Sequence, residues 1–207
     1  MPTPARLALF GGTFDPIHGG HLAIAAEARR AARLDRVIFL PARQSPHKSD
    51  QRIRATDAER LEMLRLATRG LDWAEVSDWE IRQAPPSYSW KTALHFRAAH
   101  PGSRLFWILG ADQWTVITQW AEPEVLRETL EFLVFPRPPL PPPAPRTGWR
   151  ARFLETIHPA SATAIRSALA DGNPAPSHLP VALQRLAGRI YGPPVSRDKA
   201  AGDVDAL

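Results

Sequence analysis

Two histidines separated by a pair of glycines, His18 and His21, are the side chains of this sequence best suited to work on a phosphate. They close the stretch Gly11-Gly12-Thr13-Phe14-Asp15-Pro16-Ile17-His18-Gly19-Gly20-His21. An apolar run over residues 7–10 precedes it and reads as a buried strand bounded by glycine. Alanine-rich helix formers over 23–32 follow. A glycine-rich loop between a strand and a helix N-terminus offers an anion backbone N–H groups and the positive end of the helix dipole. The imidazoles would add side-chain donors. The spacing is neither the dinucleotide fingerprint nor the P-loop. A metal on these histidines would lack cysteine and a nearby third ligand, so no metal site is read here.

Further candidates lie downstream. Lys48 stands in a polar segment, 42–55, that reads as a binding loop. Arg166 falls in the first turn of a helix that Ser161 can cap, beside free backbone N–H groups where anions bind. The hydroxyls of Ser161 and Thr163 suit capping and phosphate contact alike. Asp112, just after Gly110, can cap a helix or meet a ligand at the end of a strand. Trp120, Tyr88 and Ser89 serve packing or a flat ring, and Asp15 shapes the turn before Pro16.

The elements that must position these groups alternate strand and helix. Strands are predicted over 7–10, 36–41, 73–77 with an extension through 79–81, 105–109, 131–135 and 153–157. The run 105–109 is the most apolar and should be central, and 153–157 should lie at an edge. Helices are predicted over 23–32, from Thr56 with a Thr56/Glu59 capping box, over 89–100, 123–127, 161–170 and 181–190. Such an order implies right-handed crossovers in a Rossmann-like, doubly wound, mostly parallel α/β sheet with helices on both faces. One domain is expected over 1–191, with a disordered tail over 192–207. Residues 136–145 hold seven prolines and read as a stiff connector.

The chain of 207 residues is long enough for one sizeable core. It has no cysteine, which excludes disulfides and thiol chemistry. No run reaches membrane length and no export segment is evident, so a cytoplasmic enzyme without a membrane partner is expected. The net charge of +5 is spread among acidic residues with no aromatic-and-basic stripe, which suits small anionic substrates better than nucleic acid. A homo-oligomer is compatible with all of this.

The loop resembles the (H/T)-x-G-H motif of the nucleotidyltransferase superfamily in its Gly-Gly-Thr-Phe-Asp-Pro-x-His-x-Gly-His form. Four later segments resemble the nicotinate-nucleotide adenylyltransferase branch: Ser45-Pro46-His47-Lys48, Pro86-Ser87-Tyr88-Ser89, Gly110-Ala111-Asp112 with Trp120, and Ser161-Ala162-Thr163-Ala164-Ile165-Arg166. They occur in the family's order across residues 5–191. Ser89 departs from the usual threonine, and Pro138-Pro139 replaces the usual Pro-Gly after Arg137.

The resemblance implies transfer of AMP from ATP to nicotinate mononucleotide, with His18, His21, Lys48 and Arg166 stabilising charge. It implies ATP contacts from Gly11, Gly12, Thr13, Phe14, Gly110, Asp112, Ser161 and Thr163 as well. Lys48, Tyr88, Ser89 and Trp120 would hold the mononucleotide, and Mg²⁺ would arrive with ATP. Alternatives are nicotinamide mononucleotide or phosphopantetheine as acceptor, a cytidylyltransferase, a nucleotide-binding protein without turnover, and an RNA-binding module.

Overall fold

A computed structural model describes residues 4–46, 53–140, 144–155 and 157–194. Lys48 and residues 195–207 of the expected tail lie outside them. In chain order the elements are β1 (Arg6–Gly12), α1 (Gly19–Ala32), β2 (Arg36–Pro41), α2 (Asp57–Thr68), β3 (Ala74–Val76), α3 (Trp79–Arg82) and α4 (Ser89–Ala99). Then come β4 (Arg104–Gly110), α5 (Ala111–Thr115), α6 (Pro123–Thr129), β5 (Glu131–Phe135), β6 (Ala151–Phe153), α7 (Ala162–Ala170) and α8 (Gln184–Tyr191).

The apolar runs become strands buried on both faces, and their side chains divide with period two. Ala8, Phe10, Val37, Phe39, Phe106, Ile108 and Leu133 join one core with residues of α1, α2, α7 and α8. Leu7, Leu9, Ile38, Leu40, Leu105, Trp107, Leu109, Phe132 and Val134 join the other, with residues of α4, α5 and α6. All strand pairs are parallel, and the order is β3-β2-β1-β4-β5-β6. This is the 3-2-1-4-5-6 order of a doubly wound sheet, and β4 is central as expected. The chain runs from β1 outward to one side and from β4 outward to the other. A crevice therefore opens at the C-terminal ends of β1 and β4, where both candidate loops emerge.

Among the boundaries that differ from the sequence expectation, three have a local cause. Helix α1 begins at Gly19, before the alanine run. Tertiary packing overrides glycine's poor propensity there, because a Cβ at Gly20 would lie 3.1 Å from Ala160 Cβ. Residues 79–82 form the short helix α3 instead of a strand extension: the Ser77 hydroxyl accepts from Trp79 N–H, and Asp78 pairs with Arg82. The last strand is 151–153 instead of 153–157. Leu154 N–H still donates to Val134, but Glu155 N–H turns to the Glu27 carboxylate and leaves the sheet.

The Thr56/Glu59 capping box forms as read, with the Glu59 carboxylate accepting from Thr56 N–H at 2.7 Å. Ser161 caps α7 by accepting from Ala164 N–H.

Candidate active site

The loop after β1 is built tightly around its glycines. A Cβ at Gly11 would come within 2.9 Å of the Trp107 ring. One at Gly12 would meet the Phe14 ring at 3.0 Å, and Phe14 itself adopts a left-handed φ of 50°. Arg60 on α2 is fully buried and donates to the carbonyls of Thr13 and Ala42 at 2.8 and 2.7 Å, fastening the loop from beneath. The chain then enters α1 with His18 in extended conformation at the N-cap.

The two imidazoles stack, with centroids 3.8 Å apart. His21 Nδ1 accepts from His18 N–H at 3.3 Å, so the proton of neutral His21 belongs on Nε2. Burial pushes His18 down to about 4, and the neighbouring His158, His178 and Arg137 add to the effect. At neutral pH His18 is thus a neutral hydrogen-bonding imidazole, and an arriving polyphosphate would favour its charged form.

From α7, Arg166 donates to the Asp15 carbonyl of this same loop at 2.6 Å and to Thr163 Oγ1 at 3.2 Å. Among the described residues its guanidinium has no carboxylate partner. Asp112, in the first turn of α5, keeps Oδ1 buried without a hydrogen-bond partner, and its Oδ2 lies 3.9 Å from Arg137. An unpaired buried acceptor of this kind is costly unless a donor arrives.

These groups face one cleft of about 490 Å³ at the crevice between β1 and β4. Gly11, Gly12, Thr13, Phe14, His18, His21, Ser89, Gly110, Asp112, Trp120, Ser161, Thr163 and Arg166 all line it. Tyr88 does not: it is the N-cap of α4, and its ring packs under the Lys91 ammonium at 5.6 Å. Ser87 lines the cleft beside it.

Sequence reasoning missed Glu80, Trp107 and His158, which also line the cleft. Glu80 is buried and accepts from Thr92 Oγ1 at 2.7 Å, and burial pushes its carboxyl up to about 7. His158 Nδ1 accepts from Ala160 N–H, and its ring meets His178 edge to face. Nothing in the local pattern around either residue distinguishes it from an ordinary helix or loop position. Trp107 reads as strand core from its run, and only the glycine opposite it marks a close approach.

The protein is thus a doubly wound α/β protein of 3-2-1-4-5-6 parallel order whose switch-point cleft is lined by two imidazoles and a guanidinium, groups suited to an anionic nucleotide. Comparison with known proteins agrees at the level of sequence. The chain belongs to the cytidylyltransferase-like family, whose sequence pattern matches residues 9–168.

Relatives include a probable nicotinate-nucleotide adenylyltransferase of Symbiobacterium thermophilum, 40% identical over 181 residues covering 82% of this chain and 86% of that one. Another, of Methylacidiphilum infernorum, is 39% identical over 135 residues, 65% of this chain and 66% of the relative. The fold is shared with the nicotinic acid mononucleotide adenylyltransferase of Plasmodium falciparum, solved with NaAD: TM-score 0.65, 16% identity, 82% of this chain and 86% of that one. It is shared as well with a putative nicotinate-nucleotide adenylyltransferase of Vibrio parahaemolyticus: TM-score 0.64, 16% identity, 88% and 98% covered.

Proposed function

We propose that this protein is a nicotinate-nucleotide adenylyltransferase, transferring AMP from ATP to nicotinate mononucleotide for the synthesis of pyridine dinucleotides in the cytoplasm. The observation that carries this reading is the convergence of His18, His21 and Arg166 on one cleft, with Arg166 brought from α7 to the loop that bears the histidines. The names of the relatives supply the acceptor.

In this mechanism a phosphate oxygen of the mononucleotide attacks the α-phosphorus of ATP in line. The new P–O bond forms as the bond to the β-phosphate bridging oxygen breaks, and pyrophosphate leaves with that electron pair. The nucleophile needs little activation, since a phosphomonoester loses its second proton near pH 6. Catalysis is then positioning and charge stabilisation. His21 donates through Nε2, His18 hydrogen-bonds a phosphate oxygen from the mouth of α1, and Arg166 meets the same charge from α7. Thr163 and Ser161 add hydroxyls. Lys48, within the 42–55 segment, joins them in this reading.

Asp112 Oδ1 gains its missing donor from a ribose hydroxyl of the adenosine. Trp120 stacks on the pyridine ring, with Ser89 beside it. Mg²⁺ fits as a rider on the triphosphate: the side chains around the loop are imidazole, guanidinium and hydroxyl, and the Asp15 carboxylate is already taken by three donors. When bound, it offsets phosphate negative charge.

The test is a parallel assay of ATP with nicotinate mononucleotide, nicotinamide mononucleotide and phosphopantetheine, reading pyrophosphate and the dinucleotide. Nicotinate adenine dinucleotide should form fastest. Absence of that product, or faster turnover of phosphopantetheine, would overturn the assignment.

A further inference from the structure

Two buried residues, Asp15 of the cleft lining and Tyr191, have no part in the chemistry above. Asp15 is 5% exposed and Tyr191, the last residue of α8, is 1% exposed. The Tyr191 hydroxyl donates to Asp15 Oδ1 at 2.6 Å. Ala55 N–H donates to the same oxygen and Arg54 N–H to Oδ2, both at 3.0 Å. The backbone carbonyl of Asp15 in turn accepts from Arg166. One residue of the phosphate loop therefore joins the segment leading into α2, helix α7 and helix α8.

A carboxylate with donors from different chain segments is fixed in three dimensions, and charge-assisted bonds of this kind are about twice as strong as neutral ones. Its carbonyl is carried with it. That carbonyl is the rest on which the Arg166 guanidinium sits, with Thr163 Oγ1 holding the other side. Buried tyrosine hydroxyls need a partner, but packing alone would be served by phenylalanine. Burial and the adjacent carboxylate push the Tyr191 phenol well above its ordinary value, so it stays a donor throughout the working pH range.

We propose that Tyr191 is a positioning residue for the transfer reaction: through its bond to the Asp15 carboxylate it sets the carbonyl that aims Arg166 at the substrate phosphates. This rests on the function proposed above, and it adds a residue far from any recognised motif.

The test is a double-mutant cycle of Tyr191→Phe with Arg166→Gln in the full-length protein. Tyr191→Phe should lower kcat about tenfold, the scale of a misplaced charge donor, with KM values within about threefold of the parent. In the Arg166→Gln background the same change should cost less than about twofold, because the arm it aims is gone. An unchanged kcat in Tyr191→Phe, or an equal loss in both backgrounds, would overturn the proposal.

A second readout does not need turnover. The Arg166 side-chain N–H resonance, assigned by its loss in Arg166→Gln, should shift in Tyr191→Phe, and an unmoved resonance overturns the proposal. A parent protein that makes no dinucleotide would instead defeat the function proposed above, with the resonance still reporting on the aim of Arg166.

Discussion

The imidazole planes of His18 and His21 are inclined by only 23°. Burial keeps His18 neutral in the free protein, and the two rings share the mouth of α1. The pair is therefore poised to meet negative charge without carrying two positive charges beforehand.

His18 predicts a specific dependence of stability on pH. Its native value of about 4 lies below the 6.5 of an unfolded histidine, so between those values the unfolded chain binds more protons. Stability is intact above pH 6.5 and falls as pH drops toward 4, by on the order of 3 kcal/mol from this group. Urea midpoints of the parent and of His18→Asn across this window should show a shallower slope in the variant. Parallel slopes would reject the assignment.

His21→Ala should lose about 100- to 1,000-fold in turnover, as removal of one preorganised donor typically does. ATP affinity should change far less, because Arg166 and the loop backbone remain. Pyrophosphate release, paired with an ATP titration, separates the two effects. An undiminished rate would remove His21 from the chemistry.

Glu80 gives the opposite sign. Its carboxyl titrates near 7 in the native protein against 4.5 unfolded, so the native state holds a proton that the unfolded chain has released. Stability falls as pH rises through this window. Glu80→Gln keeps an acceptor for Thr92 and removes the titration. Its Tm should exceed that of the parent at pH 8 and match it near pH 4.5, and equal Tm values at both would contradict the burial argument.

Trp120→Leu retains an apolar side chain and removes the ring face. If the pyridine stacks there, KM for nicotinate mononucleotide should rise about tenfold, on the scale of lost stacking plus area. KM for ATP should stay within about twofold. Steady-state kinetics with each substrate varied in turn decide between a stacking platform and a packing residue, for which both KM values would stay unchanged.

Much of this organisation was legible in the sequence because it is local. The runs 36–41 and 131–135 become strands with those bounds, and the Thr56 and Ser161 caps form as their spacing implies. The strand end at Phe153 was not legible, because Glu27, 128 residues away, takes the next free N–H. Arg60 carries no signal in its local pattern, because its buried guanidinium finds acceptors in two other segments, Thr13 of the loop after β1 and Ala42. Tyr88 sits in a motif that points to the substrate, but its helix-start geometry turns the ring toward Lys91. Side-chain direction at a helix terminus is not encoded in spacing alone.

Asp15 receives Arg166 from 151 positions downstream and Tyr191 from 176. During synthesis the motif bearing both histidines leaves the ribosome well before its supports in α7 and α8. A nascent chain halted before α7 would display the signature stretch without Arg166 or Tyr191 to hold Asp15. These contacts close only once α7 and α8 have been made, a long-range closure across most of the domain.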